Sequence, residues 1–273
     1  MSRFRSLSSR VAVAVPGIGL FAAVALIDSD PVTTVFFAVL AAVAAAEAVR
    51  LLGSGRNAAA GTMAALLTGG AAAAVALLPA ELSIALIVIP GLTVSLVWVL
   101  IDGVEGSRMK TAGITGLTAL SALGFGIMAR LRMDFGSLWV MCIPLFICWA
   151  GDSLAYFAGS AFGRHRMAPV LSPSKSWEGF AAGIAGSVAG SLAAGSLGAG
   201  FPLLSMAVLG FIGGVAAVAG DLFESAMKRD AGVKDSGVLL PGHGGILDRF
   251  DSLLAAAPVV WIVLFLLSRW DLL

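Results

Sequence analysis

Apolar residues run along this chain in blocks too long and too even for a soluble domain. Spans at about 11–27, 32–49, 58–78, 82–101, 111–129, 137–161, 177–198, 202–220 and 252–268 are almost free of charge. Each is close to the roughly 20 residues a helix needs to cross a hydrocarbon core. The pattern predicts an all-α, polytopic integral membrane helix bundle with about nine transmembrane helices. A membrane β-barrel would instead show short stretches of alternating polarity, and these runs do not alternate. Gly, Ala and Ser crowd the span at 177–198, where small side chains let helix backbones approach without a hydrophobic drive between helices. The first span follows Arg3, Arg5 and Arg10, and no small-x-small cleavage pattern precedes Asp28 and Asp30. It is expected to remain as the first membrane helix rather than to leave as a signal peptide.

Composition sharpens this picture. Of 273 residues, 59% are hydrophobic and 12% charged, and the mean hydropathy is +0.99, far above that of a soluble domain. Cys142 and Cys148 share one apolar span, so they are expected to be core residues rather than a disulfide framework or a zinc site. A net charge of +1 leaves no basic stripe to neutralise a duplex, which excludes a nucleic-acid partner.

Charge asymmetry orients the spans. With the N-terminus in the cytoplasm, alternation puts fourteen of the 17 lysines and arginines inside and leaves Arg130, Arg132 and Arg269 outside, as the positive-inside rule favours. The Arg130/Arg132 pair runs against the rule. The two longest polar segments, 162–176 and 221–251, then open to the cytoplasm, where nucleotides are found. Because polar residues gather in the second half, the chain is expected to divide into N-terminal transmembrane helices at 1–136 and a C-terminal catalytic region at 137–273.

Residues 221–251 concentrate the charge: Asp221, Glu224, Lys228, Arg229, Asp230, Lys234, Asp235, Asp248, Arg249 and Asp251, with His243 among them. A solvated loop between two helices is the plain explanation, but the spacing argues for more. Asp221, Glu224/Ser225 and Lys228 share one face if the preceding helix continues through them, and Asp248 and Asp251/Ser252 share one at the start of the last helix. Carboxylate oxygens are hard ligands that suit Mg²⁺, and interleaved cations suit a polyphosphate. Gly242, Gly244 and Gly245 would let backbone N–H groups approach phosphate oxygens. Upstream, Ser172, Ser174 and Ser176 surround Lys175 ahead of Trp177 and Glu178. That segment fits two readings, an anion seat at a helix N-terminus or an ordinary helix cap with an interfacial tryptophan. Asp152 lies inside an apolar run, where a carboxylate costs roughly 2.5–3.5 kcal/mol at the bilayer centre. It should face a cavity or a partner, with Tyr156 four residues on sharing its face. Glu47 is expected to be an interfacial residue ahead of Arg50, without a role.

The run Ser225-x-x-Lys228-Arg229-x(4)-Lys234-Asp235-x-Gly237-x(3)-Pro241-x-His243-Gly244-Gly245-x-x-Asp248-Arg249-x-Asp251 resembles the signature of the phosphatidate cytidylyltransferase (CDP-diacylglycerol synthase) family, without departure. Asp152-Ser-x-Ala-Tyr156, Gly159, Gly163-Arg164 and Ser172-Pro-x-Lys175-Ser176-x-Glu178-Gly179 resemble that family's second polar cluster. The likeness covers about 149–268. It implies an enzyme of phospholipid biosynthesis that transfers CMP from CTP to phosphatidate, giving CDP-diacylglycerol and pyrophosphate. It also implies dependence on Mg²⁺, with or without a second cation, and a homodimer among membrane lipids. The location implied is a bacterial inner membrane with the active site on the cytoplasmic side.

Carried onto this sequence, the resemblance makes Asp221 and Asp248 metal ligands, with Asp251 third. Lys228, Arg229 and His243 join Asp221 and Asp248 as the catalytic group. Ser172, Lys175, Ser176, Lys234, Asp235, Gly244, Gly245 and Arg249 become substrate contacts, with Asp152 and Glu178 orienting a water or a cation. The rivals are a CTP-dependent lipid kinase, a cytidylyltransferase for an ether lipid phosphate and a transporter. The last would show inverted repeats and paired broken helices, whereas here the polar residues lie in one half.

Overall fold

The computed structural model describes residues 16–17, 19–27, 29–52, 58–79, 107–240, 244–270 and 272–273. Seven helices among them are long and apolar enough to cross a membrane, and the protein is a polytopic membrane protein. They are α1 (Asp30–Leu52), α2 (Ala58–Leu77), α3 (Ser107–Phe135), α4 (Leu138–Phe162), α5 (Trp177–Ala194), α6 (Leu203–Asp230) and α7 (Leu247–Arg269). The span expected at 82–101 lies outside the described residues, as do 11–15 and 18 of the span at 11–27 and His243.

Two helices overrun the edges expected of them. α6 continues to Asp230 and α7 begins at Leu247, because a hydropathy pattern marks where side chains turn polar, not where backbone hydrogen bonding stops. The helix thus carries Asp221, Ser225 and Lys228 on one face, as the spacing required. It ends on Gly232, whose φ of 70° suits glycine. The Gly232 N–H donates to the Arg229 carbonyl and the Val233 N–H to that of Lys228, closing the last turn. Between α4 and α5 the chain forms an antiparallel hairpin, made of β1 (Arg166–Ala168) and β2 (Ser172–Ser176), with Arg166 paired to Ser176 and Ala168 to Ser172.

The chain forms two compact units. The first comprises Met1–Arg130 with Met227–Phe250, and the second Leu131–Ala226 with Asp251–Leu273. The signature segment therefore belongs with the N-terminal helices. In the first unit Phe37 stacks on Phe125, whose other edge meets Phe250. Arg130, which the charge count left on the wrong side, donates to the carbonyls of Val75 and Leu78 at 3.1 and 2.7 Å. It closes the C-terminal end of α2, where orphan carbonyls favour a cation.

In the second unit α4 and α5 pack backbone against backbone. A Cβ on Gly186 would stand 2.5 Å from the Ala150 carbonyl, and one on Gly190 would strike that of Phe146. The Ser187 hydroxyl donates to the Ile147 carbonyl at 3.1 Å. This close approach is what the small residues of 177–198 suggested. Cys142 and Cys148 are buried free thiols in α4, core residues as expected.

Candidate functional site

The signature segment in the first unit is organised around two buried carboxylates. Asp248 sits in the first turn of α7, where backbone N–H groups lack helical partners. Its Oδ2 accepts the Ser236 N–H at 2.8 Å, the Ser236 hydroxyl at 2.9 Å and the Gly245 N–H at 2.8 Å, while the Lys228 ammonium donates to Oδ1 at 2.8 Å. Gly244 has φ of 85°, and a Cβ there would run into the Asp248 carboxylate. Leu240 and Gly244 exchange backbone hydrogen bonds at 2.9 and 3.1 Å.

The second carboxylate is Glu47 of α1, and its placement corrects the expectation that it is an interfacial residue without a role. Glu47 is 5% exposed. Its Oε1 accepts the Ile246 N–H and its Oε2 the Leu247 N–H, both at 3.0 Å, across 199 and 200 residues of chain. Glu47 thus caps α7 from a distant helix. The argument that made Asp152 notable, a carboxylate in an apolar run, applies equally to Glu47 and would have found it.

The exposed members of the signature are less engaged. Arg229 donates to the Val233 carbonyl at 3.1 Å, and Lys234, Asp235 and Arg249 are exposed. The Gly245 N–H, expected to approach a phosphate, is donated to Asp248.

The second unit holds a cavity of about 700 Å³ lined by Asp152 and Tyr156 of α4, Ser160 and Gly163 at its end, Arg166, Ser174 and Lys175 of the hairpin, Phe180 of α5 and Asp221 of α6. Asp152 therefore faces a cavity, and Tyr156 shares it. The Lys175 ammonium pairs with Asp221 Oδ2 at 2.5 Å, and the Ser225 hydroxyl donates to Oδ1 at 3.3 Å. Asp152 lies within electrostatic reach of Asp251, Asp221 and Lys175. Asp251 itself accepts the Ser252 N–H at 2.6 Å. Opposite charges thus line one concave surface, a setting suited to phosphate and cation together.

The hairpin owes its placement to local chemistry. Ser176 is the N-cap of α5, its hydroxyl accepting the Gly179 N–H at 3.1 Å, so the helix-cap reading holds for that residue. Glu178 Oε2 accepts the N–H groups of Arg164 and His165 at 3.1 and 3.3 Å, and Oε1 lies 2.5 Å from the His165 ring Nδ1. Glu178 ties down the base of the hairpin and is not among the cavity-lining residues. Ser172 begins β2, opposite Ala168. Arg166 and Ser160 are cavity residues that sequence reasoning missed; Arg166 also reaches the Ser174 carbonyl at 3.3 Å. Among the described residues no three His, Cys, Asp or Glu side chains already stand at metal-ligating spacing.

The sequence is similar to those of known proteins. A family model described as "Cytidylyltransferase family" matches residues 8–267. Curated proteins named phosphatidate cytidylyltransferase are similar. That of Mycobacterium bovis is 43% identical over 132 residues, which cover 48% of this chain and 43% of the relative. That of Haemophilus influenzae is 41% identical over 145 residues, covering 47% and 49%, and that of Brucella abortus 40% identical over 161 residues, covering 58% and 57%. The chain spans about half the length of the curated relatives it matches.

Proposed function

The chain belongs to the cytidylyltransferase family, and from that premise we propose that it transfers CMP from CTP to phosphatidate, giving CDP-diacylglycerol and pyrophosphate. A phosphate oxygen of the lipid attacks the α-phosphorus of CTP, forming the new P–O bond, and the bond from that phosphorus to the bridging oxygen of the β-phosphate breaks. Pyrophosphate leaves with the electron pair. A phosphate monoester has its second pKa near 6, so the nucleophile is largely dianionic at neutral pH and no strong base is needed. The work left to the protein is positioning and neutralisation of charge.

The observation that carries the proposal is the cavity in which Lys175 and Arg166 face Asp152 and Asp221. Lys175 and Arg166 would hold phosphate oxygens. Lys228 would act through Asp248, and the exposed Arg229, Lys234 and Arg249 would gather the triphosphate. The donor chemistry fits Mg²⁺: Asp221 and Asp251 offer hard carboxylate oxygens, and Asp221 is already set against positive charge, that of the Lys175 ammonium. Asp221 and Asp251 would hold the ion, which when bound supplies charge neutralisation at phosphate oxygens. The charge asymmetry and the bacterial relatives support a cytoplasmic-facing site in a bacterial inner membrane.

The test separates transfer from phosphorylation, since a CTP-dependent kinase attacks the γ-phosphorus instead. With α-labelled CTP and phosphatidate vesicles, the label is expected in the lipid phase with stoichiometric pyrophosphate. Label left in water as CDP, with γ-label in the lipid, overturns the proposal.

A further inference from the structure

Three consecutive amides, those of Gly245, Ile246 and Leu247, are divided between two buried carboxylates: the first goes to Asp248 and the next two to Glu47. Gly237 and Gly245 make the arrangement possible. A Cβ on Gly237 would stand 3.0 Å from Glu47 Oε1, and one on Gly245 would meet Ser236 Oγ at 2.5 Å as well as the Glu47 carboxylate. Two signature glycines therefore leave space for a side chain from α1, a helix outside the signature.

We infer that Glu47 is a positioning residue, which fixes the 244–247 turn and through it the seat of Asp248. Burying a carboxylate costs free energy unless it is hydrogen-bonded, and a surface anchor would not need one at this depth. The two amides that meet the cost lack intrahelical partners at the start of α7, so each side satisfies what the other leaves open. Without Glu47 the Ile246 and Leu247 amides lose their acceptors and the turn can shift. The Gly245 N–H then moves off Asp248, and the Ser236 contacts to the same oxygen follow.

The activity arm of the test rests on the proposed CMP transfer, while the exchange arm does not. Amide hydrogen exchange is measured on the full chain in detergent for the native protein, Glu47→Ala and Glu47→Gln. In Glu47→Ala, exchange at Ile246 and Leu247 is expected to rise by roughly tenfold or more, the loss of a buried hydrogen bond to a charged acceptor. Exchange at Ser236 is expected to rise with it, although Glu47 does not bond that amide. In the same variant kcat per folded enzyme falls by about tenfold, and the KM for phosphatidate stays within about twofold. Glu47→Gln, which keeps one carbonyl acceptor, lies between, and it decides the matter if the alanine variant does not fold. Faster exchange confined to Ile246 and Leu247 with normal kcat would overturn the inference, leaving Glu47 a helix cap only. So would unchanged exchange at all three amides. If the native protein shows no CTP turnover, the proposed function falls, and the Ser236 amide still decides the positioning.

Discussion

Around Asp248 each carboxylate oxygen is taken, one by an ammonium and the other by two amides and a hydroxyl, and the side chain is only 4% exposed. Around Asp221 and Asp152 the carboxylates line a cavity of about 700 Å³ and face one lysine. The first assembly saturates its acids and so builds structure, since a buried charge persists only when it is paired and hydrogen-bonded. The second leaves its acids under-engaged on apolar helices, α4 and α6, where each carries a cost that packing does not return. A ligand bringing both phosphate and cation would meet that cost. One family signature thus spans two kinds of acid, and their sequence spacing does not tell them apart.

Removing one charge from each assembly tests this contrast most strongly. Asp221→Asn is expected to lower turnover about a thousandfold, the loss of several kcal/mol of charge stabilisation, with a melting temperature unchanged within about 2 °C. Asp248→Asn takes away the charge that buried Lys228 faces. It should cost about 3 kcal/mol of stability, roughly 6–12 °C in melting temperature, as well as activity. Thermal unfolding in detergent beside initial-rate assays reads both. Equal loss of stability in the two variants would erase the distinction.

Much of this was legible from spacing alone. The i, i+4, i+7 array of Asp221, Ser225 and Lys228 required α6 to run past the apolar span, and it does, to Asp230. Asp152 called for a cavity or a partner because a bare carboxylate is costly in that run, and it lines the cavity. The apolar run marked Glu47 as it marked Asp152, but its partners were hidden, because they lie 199 and 200 residues along the chain. Hydropathy also records side chains and is silent on which backbone amides lack acceptors. The hairpin was missed for a related reason: three- and five-residue strands are too short for alternation to show, and the serines that mark a helix cap look the same in a strand. Arg166 became a cavity residue only once that hairpin placed it.

A smaller effect is expected at Lys175, which belongs to the under-engaged assembly and should act on binding more than on folding. Lys175→Gln is expected to raise the KM for CTP about tenfold, the value of one charge-assisted contact, while stability changes little. Lys175→Arg should recover part of the affinity, because charge is kept and reach altered. Rates measured against CTP concentration decide it, and an unchanged KM would remove Lys175 from the phosphate contacts.

The smallest effect is expected at an ion pair as short as that of Lys175 with Asp221. His165 Nδ1 stands 2.5 Å from Glu178 Oε1, yet the His165 side chain is 78% exposed. An exposed pair gains little, because water screens the charges and ordering two side chains costs entropy. Holding the hairpin falls instead to Glu178 Oε2, which accepts the backbone N–H groups of Arg164 and His165, and a change of the His165 side chain leaves those donors in place. His165→Ala should therefore keep turnover within about twofold and the melting temperature within about 2 °C. Glu178→Ala removes the acceptor for both amides and loosens the hairpin that carries Lys175, so its turnover should fall several-fold more, by roughly the tenfold of a lost hydrogen bond. A tenfold loss in His165→Ala, with Glu178→Ala no worse, would mean that the imidazole itself reaches the substrate, and the cavity would then have to be redrawn to include it.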